Sequence, residues 1–355
     1  MDVQVFAGPD APTAEIVSFL SALDFAPAQH DPRWSSVFRD LPNEDFHILV
    51  ARDGARIVAV STFTIFHGSL GPIVHANPYM GYGGCSCLPA RQAEAVAALM
   101  GLLLEKAREA GCLTVSVATP PFNEQTIDLY IRALEPDYRF DNFYQYHVLE
   151  CHPFDKLKGR HRQAFQREIR RAESAGVQII RAESPSQFEG WARIYERRYA
   201  DIGATPLPRK FQEMLWRVFS PCEKARLDLA YVGDELLGGT LFLEGTGVVD
   251  YFSSAFTAQG MRLHAGTLIL HRAFTDFITR GIRRFNWQSS PNRDGGVYQF
   301  KQRWGASEGA HCILTAVLGD EKVLTSRPLA EIREAYPLHF VLPYDLWGGG
   351  HLHTI

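Results

Sequence analysis

One stretch of the chain concentrates positive charge at a spacing that suits phosphate chemistry. Residues 156–171 contain seven Lys or Arg residues and a single Glu. On a helix, Arg160, Arg167 and Arg171 fall near one face, and a guanidinium group binds phosphate or carboxylate through two parallel hydrogen bonds. We therefore predict an anion-binding surface here. The alternative is a solvated connecting helix whose charges meet acidic neighbours.

A second group of polar residues stands at the end of an apolar run. Asn286, Ser289 and Ser290 close a predicted strand, immediately before Pro291 and Asn292. Amides and hydroxyls at such a place can orient a substrate, and they can equally cap the turn that follows. Both interpretations stay open at this point.

Cysteine and histidine patterns do not indicate a metal site. Only Cys85 and Cys87 of the six cysteines are close in sequence, and no second pair stands at zinc-site spacing. We predict reduced structural thiols, no disulfide framework and no bound metal. His351 and His353, near the end of the chain, suggest fortuitous metal affinity at most.

Composition predicts a globular protein. The 355 residues are 46% hydrophobic and 21% charged, with a net charge of −4, so no global positive field attracts DNA or anionic lipid. No apolar run reaches ~18 residues and no signal-peptide pattern opens the chain, which predicts a cytoplasmic protein without membrane insertion.

The elements that must position these residues occur twice along the chain. In the first half, Asp53-Gly54 favours a tight hairpin turn, and Gly111 ends a helix. The predicted elements there are helices over 13–23 and 90–111 and strands over 46–52, 56–66 and 113–118. In the second half, Gly233-Asp234-Glu235 marks another hairpin. The predicted elements there are helices over 195–200, 208–219 and 263–280 and strands over 227–232, 236–244, 248–253 and 282–289.

Each half therefore follows the order helix, antiparallel hairpin, helix, strand. This order predicts an α+β fold of two like domains, each a mixed, largely antiparallel sheet flanked by helices. We place the N-terminal domain at 1–150, the C-terminal domain, which begins with the basic helix, at 151–320, and a tail at 321–355.

Motifs in both halves resemble the FemABX-type acyltransferases and their BioF2-like branch, relatives of the GNAT acetyltransferases built from two tandem GNAT-like domains. The resemblance covers roughly residues 25–318. Its motifs are Arg170–Val177, Leu236–Leu243, Asp250–Ala255, His264–Leu270, Gly281, Phe285–Trp287, Tyr298–Gly305, His30–Trp34 and Pro78–Gly84. It implies amide formation, in which an amine attacks an acyl or aminoacyl group carried by a thioester or by aminoacyl-tRNA.

The resemblance also implies roles for residues of the second half. Acyl transfer passes through a tetrahedral oxyanion, which needs a fixed donor or cation in a dry cleft. The family's Phe-Lys lysine matches Lys301, which follows Phe300, and we expect Lys301 to stabilise this oxyanion. Tyr251, where the family places a tyrosine near the reacting centre, is the preferred base, with Asp250 and His264 as alternatives.

The donor stays open between thioesters and aminoacyl-tRNA. A conventional GNAT holds the CoA pyrophosphate on a turn with two glycines at a helix N-terminus. The matching positions here are Arg262, Ala265 and Thr267, so both glycines are absent. Arg262 and His264 remain candidates for donor or phosphate binding. We expect no tightly bound cofactor, with acyl-CoA, a carrier-bound thioester or aminoacyl-tRNA as co-substrate.

Residues of the first half are candidates for the acceptor site. Trp34 belongs to a family motif, while Tyr79, Tyr82, Gly83 and Gly84 resemble a substrate-facing loop; a structural turn is the alternative. Relatives that bind a nucleotide-linked peptidoglycan precursor carry a lysine shortly after this Trp, and none follows Trp34 here. The expected acceptor is therefore broad: an amine of a small molecule or of a cell-envelope precursor.

These features together predict an amide-forming N-acyltransferase. Its partners would be the amine acceptor and a tRNA or acyl-carrier donor. The competing hypothesis is a non-catalytic ligand-binding protein on a duplicated GNAT fold.

Overall fold

The computed structural model describes residues 1–76, 79 and 81–347. Pro78, Met80, His351 and His353 lie outside the described residues. The chain divides into two compact units: residues 1–144 with the described part of 309–355 form unit 1, and residues 145–308 form unit 2.

Unit 1 begins with a strand and includes the first hairpin. Its elements in chain order are β1 (Asp2–Ala7), α1 (Thr13–Ser21), α2 (Trp34–Phe38), β2 (Glu44–Asp53), β3 (Arg56–Gly68), β4 (Gly71–Ala76), β5 (Cys85–Cys87), α3 (Gln92–Glu109), β6 (Thr114–Ala118), α4 (Ile127–Leu134) and β7 (Tyr138–Val148), which continues into unit 2.

Unit 2 contains the basic helix and the second hairpin. Its elements are α5 (Pro153–Lys156), α6 (Gly159–Ser174), β8 (Gln178–Arg181), α7 (Pro185–Asp201), α8 (Arg209–Phe219), β9 (Ala225–Val232), β10 (Glu235–Glu244), β11 (Val248–Phe256), α9 (Ala258–Arg262), α10 (Ala265–Thr279), β12 (Arg284–Gln288) and α11 (Gly296–Arg303). The chain then returns to unit 1 through β13 (Ser307–Val317), α12 (Lys322–Thr325) and α13 (Leu329–Ala335).

Both predicted hairpins form, because their turns contain glycine in the left-handed region. Gly54 has φ of 59° between β2 and β3, and Gly233 has φ of 55° between β9 and β10. Gly111 and Gly281 also adopt positive φ, at 67° and 78°, just after α3 and α10. These local signals therefore located two turns and two helix ends.

Several helices differ from their predicted extents. Helix α7 covers Pro185–Asp201 rather than residues 195–200. The basic segment is interrupted at Leu157–Lys158, so that α5 ends at Lys156 and α6 begins at Gly159. Helix α10 begins at Ala265 rather than at residue 263, because His264 is left-handed with φ of 56°.

The two units have the same strand order. Unit 1 runs β1-β2-β3-β4-β6-β13, with β5 also paired to β3, and unit 2 runs β8-β9-β10-β11-β12-β7. In each unit a helix lies in the connection between two central parallel strands. Helix α3 lies between β4 and β6, and α10 lies between β11 and β12. The α+β fold with a mixed, largely antiparallel sheet in each unit is thereby confirmed.

The final strand of unit 2 directly precedes the other elements of that unit, whereas the final strand of unit 1 comes from the C-terminal part of the chain. Strand β7 pairs with β12 over residues 145–148, and β13, from the C-terminal part of the chain, pairs with β6 in unit 1. The units consequently differ from the predicted boundaries at residues 150 and 320. The described part of the predicted tail, 321–347, belongs to unit 1, where Tyr336, Val341 and Leu342 pack against Phe66.

Each unit has its own hydrophobic core. In unit 1, α3 buries Val96, Leu99 and Leu103 against the sheet. In unit 2, α6 and α10 bury apolar residues such as Phe165 and Phe274 against Phe285 and Trp287. Among the described helices, none combines the length and apolar character that crossing a bilayer requires.

Candidate active site in unit 2

Lys301 is a buried lysine with an unusual set of partners. Its side chain extends from α11, and the residue is only 3% exposed. The Nζ atom donates to the backbone oxygens of Gln288 at 3.1 Å and Ser289 at 2.8 Å, and to Ser290 Oγ at 2.9 Å. All three acceptors are formally neutral groups.

The end of β12 creates this set of acceptors. The pairing of β12 with β7 shifts register between Asn286 and Gln288, and Gln288 has φ of 63°. The Asn286 side-chain oxygen accepts from the Gln288 backbone N–H at 3.0 Å. This turn presents two consecutive carbonyl oxygens to Lys301. Gln288 is neither glycine nor asparagine, so its left-handed conformation is a strained feature at a candidate site.

No carboxylate lies within ion-pair distance of Lys301 in the part of the chain that the structure describes. Burial lowers the pKa of Lys301 to about 7. A buried ammonium without a counter-ion is costly for stability, and perturbed groups of this kind concentrate at functional sites.

Hydrogen-bond donors without acceptors occur on neighbouring residues. Gln288 Nε2, Trp287 Nε1 and Trp304 Nε1 are buried and have no partner among the described residues. Buried donors are normally satisfied, and these three belong to β12 and to the residue that follows α11, the elements that hold Lys301 and its acceptors. Such donors suit an oxygen-rich ligand or a developing negative charge.

The parallel strands β11 and β12 of unit 2 stop pairing close to the turn that holds Lys301. Strands β11 and β12 are paired only from Val248 with Arg284 to Asp250 with Asn286. At the last step the Asn286 amide donates to Asp250 Oδ1 at 2.8 Å, and both residues are buried. Beyond it the ladder ends, while β11 continues to Phe256.

Tyr251 lies on β11, just past the last paired residue. Its ring contacts Trp287 with centroids 5.2 Å apart, and no hydrogen bond joins it to Lys301 in the described structure. Burial raises the pKa of Tyr251, against hydrogen bonds with Ser254 and Thr240 that lower it. At neutral pH its phenol is therefore protonated, which suits a proton donor better than a base.

Phe300 and the polar residues of the second half gather around Lys301. Phe300 is half-buried, and its ring centroid lies 6.1 Å from that of Trp287. Ser289, Ser290 and Asn286 lie in or beside the turn that holds Lys301. The structure thus brings together the residues predicted from that strand end and the predicted lysine.

The N-terminus of α10 contacts a carboxylate of the chain itself. Glu168 of α6 accepts from Thr267 Oγ1 at 2.9 Å and forms an ion pair with Arg303. His264 Nδ1 lies 3.8 Å from the same carboxylate. A carboxylate at a helix N-terminus is favoured by the helix dipole, so Glu168 occupies the environment that an anionic ligand would prefer. Sequence analysis missed Glu168, since only the fold brings residues 168 and 267 together.

The arginine stripe of α6, which we define as Arg160, Arg167 and Arg171, is exposed on one face of that helix. No carboxylate pairs with any of the three within the described residues. Arg262, at the end of α9, is also exposed. The predicted placement of the three arginines on one helix face agrees with the structure, whereas the acidic neighbours of the alternative interpretation are absent among the described residues.

Two of the residues predicted for the acceptor are core residues of unit 1. Trp34 is 3% exposed, and its indole N–H donates to the backbone oxygen of Ala28 at 2.7 Å. Tyr79 is 7% exposed, and its hydroxyl donates to Glu44 at 2.8 Å. Both polar groups are thus used within the unit.

The glycine pair in this segment is required by packing. A Cβ atom at Gly83 would lie 2.9 Å from Ala76 Cβ, and one at Gly84 would lie 2.6 Å from the Tyr130 hydroxyl. Gly84 also has φ of 77°. Tyr82 is buried, with its ring 5.4 Å from that of His311. Close approach to other parts of unit 1 is therefore sufficient to explain both glycines.

Two further features of the described residues do not contribute to the site. No group of three or more His, Cys, Asp or Glu residues there could hold a metal ion. A cavity of about 250 Å³ in unit 2 is lined by charged residues including Arg226, Glu244 and Arg280. Arg280 forms an ion pair with Glu244, and Arg226 with Asp228, so these charges are already balanced.

The acetyltransferase (GNAT) domain family matches residues 159–302, a range that contains the Lys301 site. No curated protein sequence matches the chain significantly. Residues 159–302 are thus similar to a GNAT acetyltransferase domain, and acyl transfer is the coarse function that this match supports.

Solved structures extend the likeness to both units. FemX covers 91% of this chain and 100% of its own at a TM-score of 0.68 and 11% identity. L-PGS from Bacillus licheniformis covers 93% of this chain and 98% of its own, at a TM-score of 0.57 and 11% identity. A tandem GNAT protein from the clavulanic acid biosynthesis pathway covers 89% of this chain and 98% of its own, at a TM-score of 0.53 and 16% identity. These likenesses confirm the FemABX-like tandem GNAT fold predicted from the motifs.

Proposed function

We propose that this protein is an amide-forming N-acyltransferase whose chemistry takes place beside Lys301. The observation that carries the proposal is a buried ammonium without a carboxylate partner, located within the GNAT domain where β11 and β12 cease to pair. Such a group stabilises the oxyanion of a tetrahedral intermediate more strongly than an exposed lysine would, because the surroundings exclude water.

The proposed reaction forms a C–N bond and breaks the bond from the acyl carbon to the donor's sulfur or oxygen. The amine nitrogen attacks the acyl carbonyl, whose oxygen becomes negative beside Lys301. Collapse expels the thiolate or alkoxide, and the proton lost by the amine ends on this leaving group. We propose Tyr251 as the relay for this proton: its phenol, which burial keeps protonated, donates to the leaving group and regains the proton that the amine loses.

The donor is proposed as aminoacyl-tRNA or an acyl thioester, with the first favoured. Glu168 at the start of α10 would repel a pyrophosphate placed there. A Cβ atom at Gly266 would lie 3.0 Å from the Phe256 ring, so this turn is also tightly packed. The arginine stripe of α6 supports a polyanionic donor such as tRNA. The acceptor is proposed as an amine of a small molecule or cell-envelope precursor.

The test begins with a donor screen. Thermal unfolding is measured with acetyl-CoA, a longer acyl-CoA and aminoacyl-tRNA, because a ligand at 100 times its Kd stabilises the native state by ~2.7 kcal/mol. A donor that stabilises the protein is then used in turnover assays against a set of amines.

Lys301→Met decides the mechanism. We expect kcat to fall by about 10²–10³-fold while the donor Kd stays unchanged, since the attraction between the Lys301 charge and the oxyanion exists only in the transition state. Lys210→Met, at an exposed lysine of α8, is the matched control and should retain full activity. Unchanged turnover in Lys301→Met would remove Lys301 from the mechanism. Binding without turnover for every donor would favour the non-catalytic alternative.

A further inference from the structure

Ser290 links Lys301 to a residue that the sequence analysis did not select. The Ser290 hydroxyl donates to Gln145 Oε1 at 2.9 Å, and the Gln145 side-chain nitrogen donates to the backbone oxygen of Tyr298 at 3.4 Å. Gln145 is fully buried on β7, where it pairs in register with Gln288 of β12. The chain of bonds is therefore entirely internal to unit 2.

The direction of these hydrogen bonds follows from elementary chemistry. A backbone carbonyl only accepts, so the amide nitrogen of Gln145 must face Tyr298 and its oxygen must face Ser290. The single hydroxyl proton of Ser290 then points to Gln145. Consequently the oxygen of Ser290 can only accept from Lys301.

This direction selects one protonation state of Lys301. Its nitrogen faces three acceptors, Ser290 Oγ and the backbone oxygens of Gln288 and Ser289, which match the three protons of an ammonium. A neutral amine would turn its lone pair toward one of these acceptors and lose a bond. We propose that Gln145 is a positioning residue that, acting through Ser290, holds Lys301 as the protonated group that stabilises the oxyanion.

This inference rests on the proposed acyl transfer for its catalytic meaning, although the proton state can be measured without it. The titratable groups on the surrounding elements are Asp250 and Tyr251 on β11, His147 on β7, and the ion pair of Arg303 with Glu168. Burial is the cause that lowers the pKa of Lys301, and none of these groups contributes resolvably. The hydrogen bonds from Gln145 and Ser290 act against this effect of burial.

Two variants of Gln145 should shift the pKa of Lys301 in opposite directions. Gln145→Met keeps the length of the side chain but removes the acceptor, so the Ser290 proton becomes free to turn toward a neutral Lys301 amine. Gln145→Glu keeps an acceptor and adds negative charge, which favours the ammonium. Gln299→Met is the control, because Gln299 is exposed on the same helix as Lys301 and its side chain donates to the Arg293 backbone oxygen, away from Ser290 and Gln145 in the described structure.

The readout is the pH dependence of Lys301 acetylation by acetic anhydride, quantified by mass spectrometry on the folded full-length chain. We expect the midpoint to fall by about one pH unit in Gln145→Met, a tenfold change in proton affinity, and to rise in Gln145→Glu. The control should match the wild type. The basic limb of the kcat profile should move in the same directions while the donor KM stays constant.

The outcomes separate the two proposals. Midpoints that stay at the wild-type value in both variants overturn the role of Gln145. Opposite shifts in labelling, without any acyl transfer by the wild type, uphold the role of Gln145 in setting the proton state and count against the proposed function. If Gln145→Met fails to fold, the rise expected for Gln145→Glu still decides the question.

Discussion

The two units have the same strand order but treat their buried charges differently. In unit 1, buried Glu44 accepts through Oε1 from the Tyr79 hydroxyl at 2.8 Å, and His339 Nε2 lies 3.1 Å from the same oxygen, while Glu44 Oε2 has no hydrogen-bond partner among the described residues. The other ring nitrogen of His339 lies 2.8 Å from the Pro337 backbone oxygen. In unit 2, buried Lys301 contacts only neutral acceptors. In unit 1, two polar groups thus meet one oxygen of the carboxylate, whereas Lys301 of unit 2 has no partner of opposite charge among the described residues.

This difference separates a structural network from a site prepared for chemistry. A matched buried group contributes to the stability of one fold, and removing its partner is costly. An unmatched buried charge weakens the fold and gains its counter-charge only when a substrate or transition state supplies it. One unit thus holds its buried charge in an internal hydrogen-bond network, and we propose that the other uses its buried charge on a substrate.

The largest expected effect comes from breaking the network of unit 1. Glu44→Leu has a similar volume and removes the acceptor shared by Tyr79 and His339. We expect the free energy of unfolding in urea to fall by about 3–5 kcal/mol. Lys301→Met should lose less than about 1 kcal/mol, because it removes an uncompensated charge. Equal losses in the two variants would refute the comparison.

A smaller effect should appear in the pH dependence of stability. Burial lowers the pKa of Lys301 to about 7 in the folded state, while an unfolded lysine has a pKa of about 10.4. Between these values the unfolded chain binds the additional proton, so this contribution to stability rises with pH, by at most about 1.4 kcal/mol per unit.

The measurement compares unfolding free energies of the wild type and Lys301→Met from pH 7 to pH 9. The wild type should gain stability relative to the variant across this window. A constant difference would show that Lys301 titrates normally in the folded protein. Lys210→Met, which removes an exposed lysine, should show no such trend.

The smallest expected effect concerns the surface arginines. Arg91 of unit 1 pairs with Asp53 and Glu94, whereas Arg167 and Arg171 of α6 have no acidic partner among the described residues. Replacing Arg167 and Arg171 by Gln should reduce the slope of log affinity against log salt for tRNA by about 0.7 per lost phosphate contact. Arg91→Gln should leave the slope unchanged. An equal loss of affinity at low and high salt would indicate lost packing instead.

Local chemistry accounts for the parts of the fold that were predictable from sequence. The turns at Gly54 and Gly233 and the helix ends at Gly111 and Gly281 depend on a positive φ that glycine adopts without strain. Apolar runs and turn signals located seven strands (β2, β3, β6 and β9 to β12), and the predicted helices include α3 and α10, whereas β1, β4, β5, β7, β8 and β13 were not predicted. These signals act over a few residues, so they are visible without knowledge of the fold.

The parts that could not be predicted depend on distant pairings. Glu168 meets Thr267, and Gln145 meets Ser290, across 99 and 145 positions of the chain. Lys301 could be selected by resemblance, but its acceptors depend on the left-handed conformation of Gln288. A glutamine in the sequence does not predict that conformation. The pairing of β7 with β12 in unit 2 and the pairing of β13 with β6 in unit 1 likewise leave no local signal in the sequence.

The origin of β13 has a consequence for the order in which the protein folds during synthesis. Strand β6 finds its neighbour β13 only about 190 residues later in the chain, since Ala118 pairs with Ile313. The ribosome must therefore complete all of unit 2 before the sheet of unit 1 can acquire its last strand. The N-terminal unit begins synthesis first and finishes folding last, with the edge of β6 exposed in the interval.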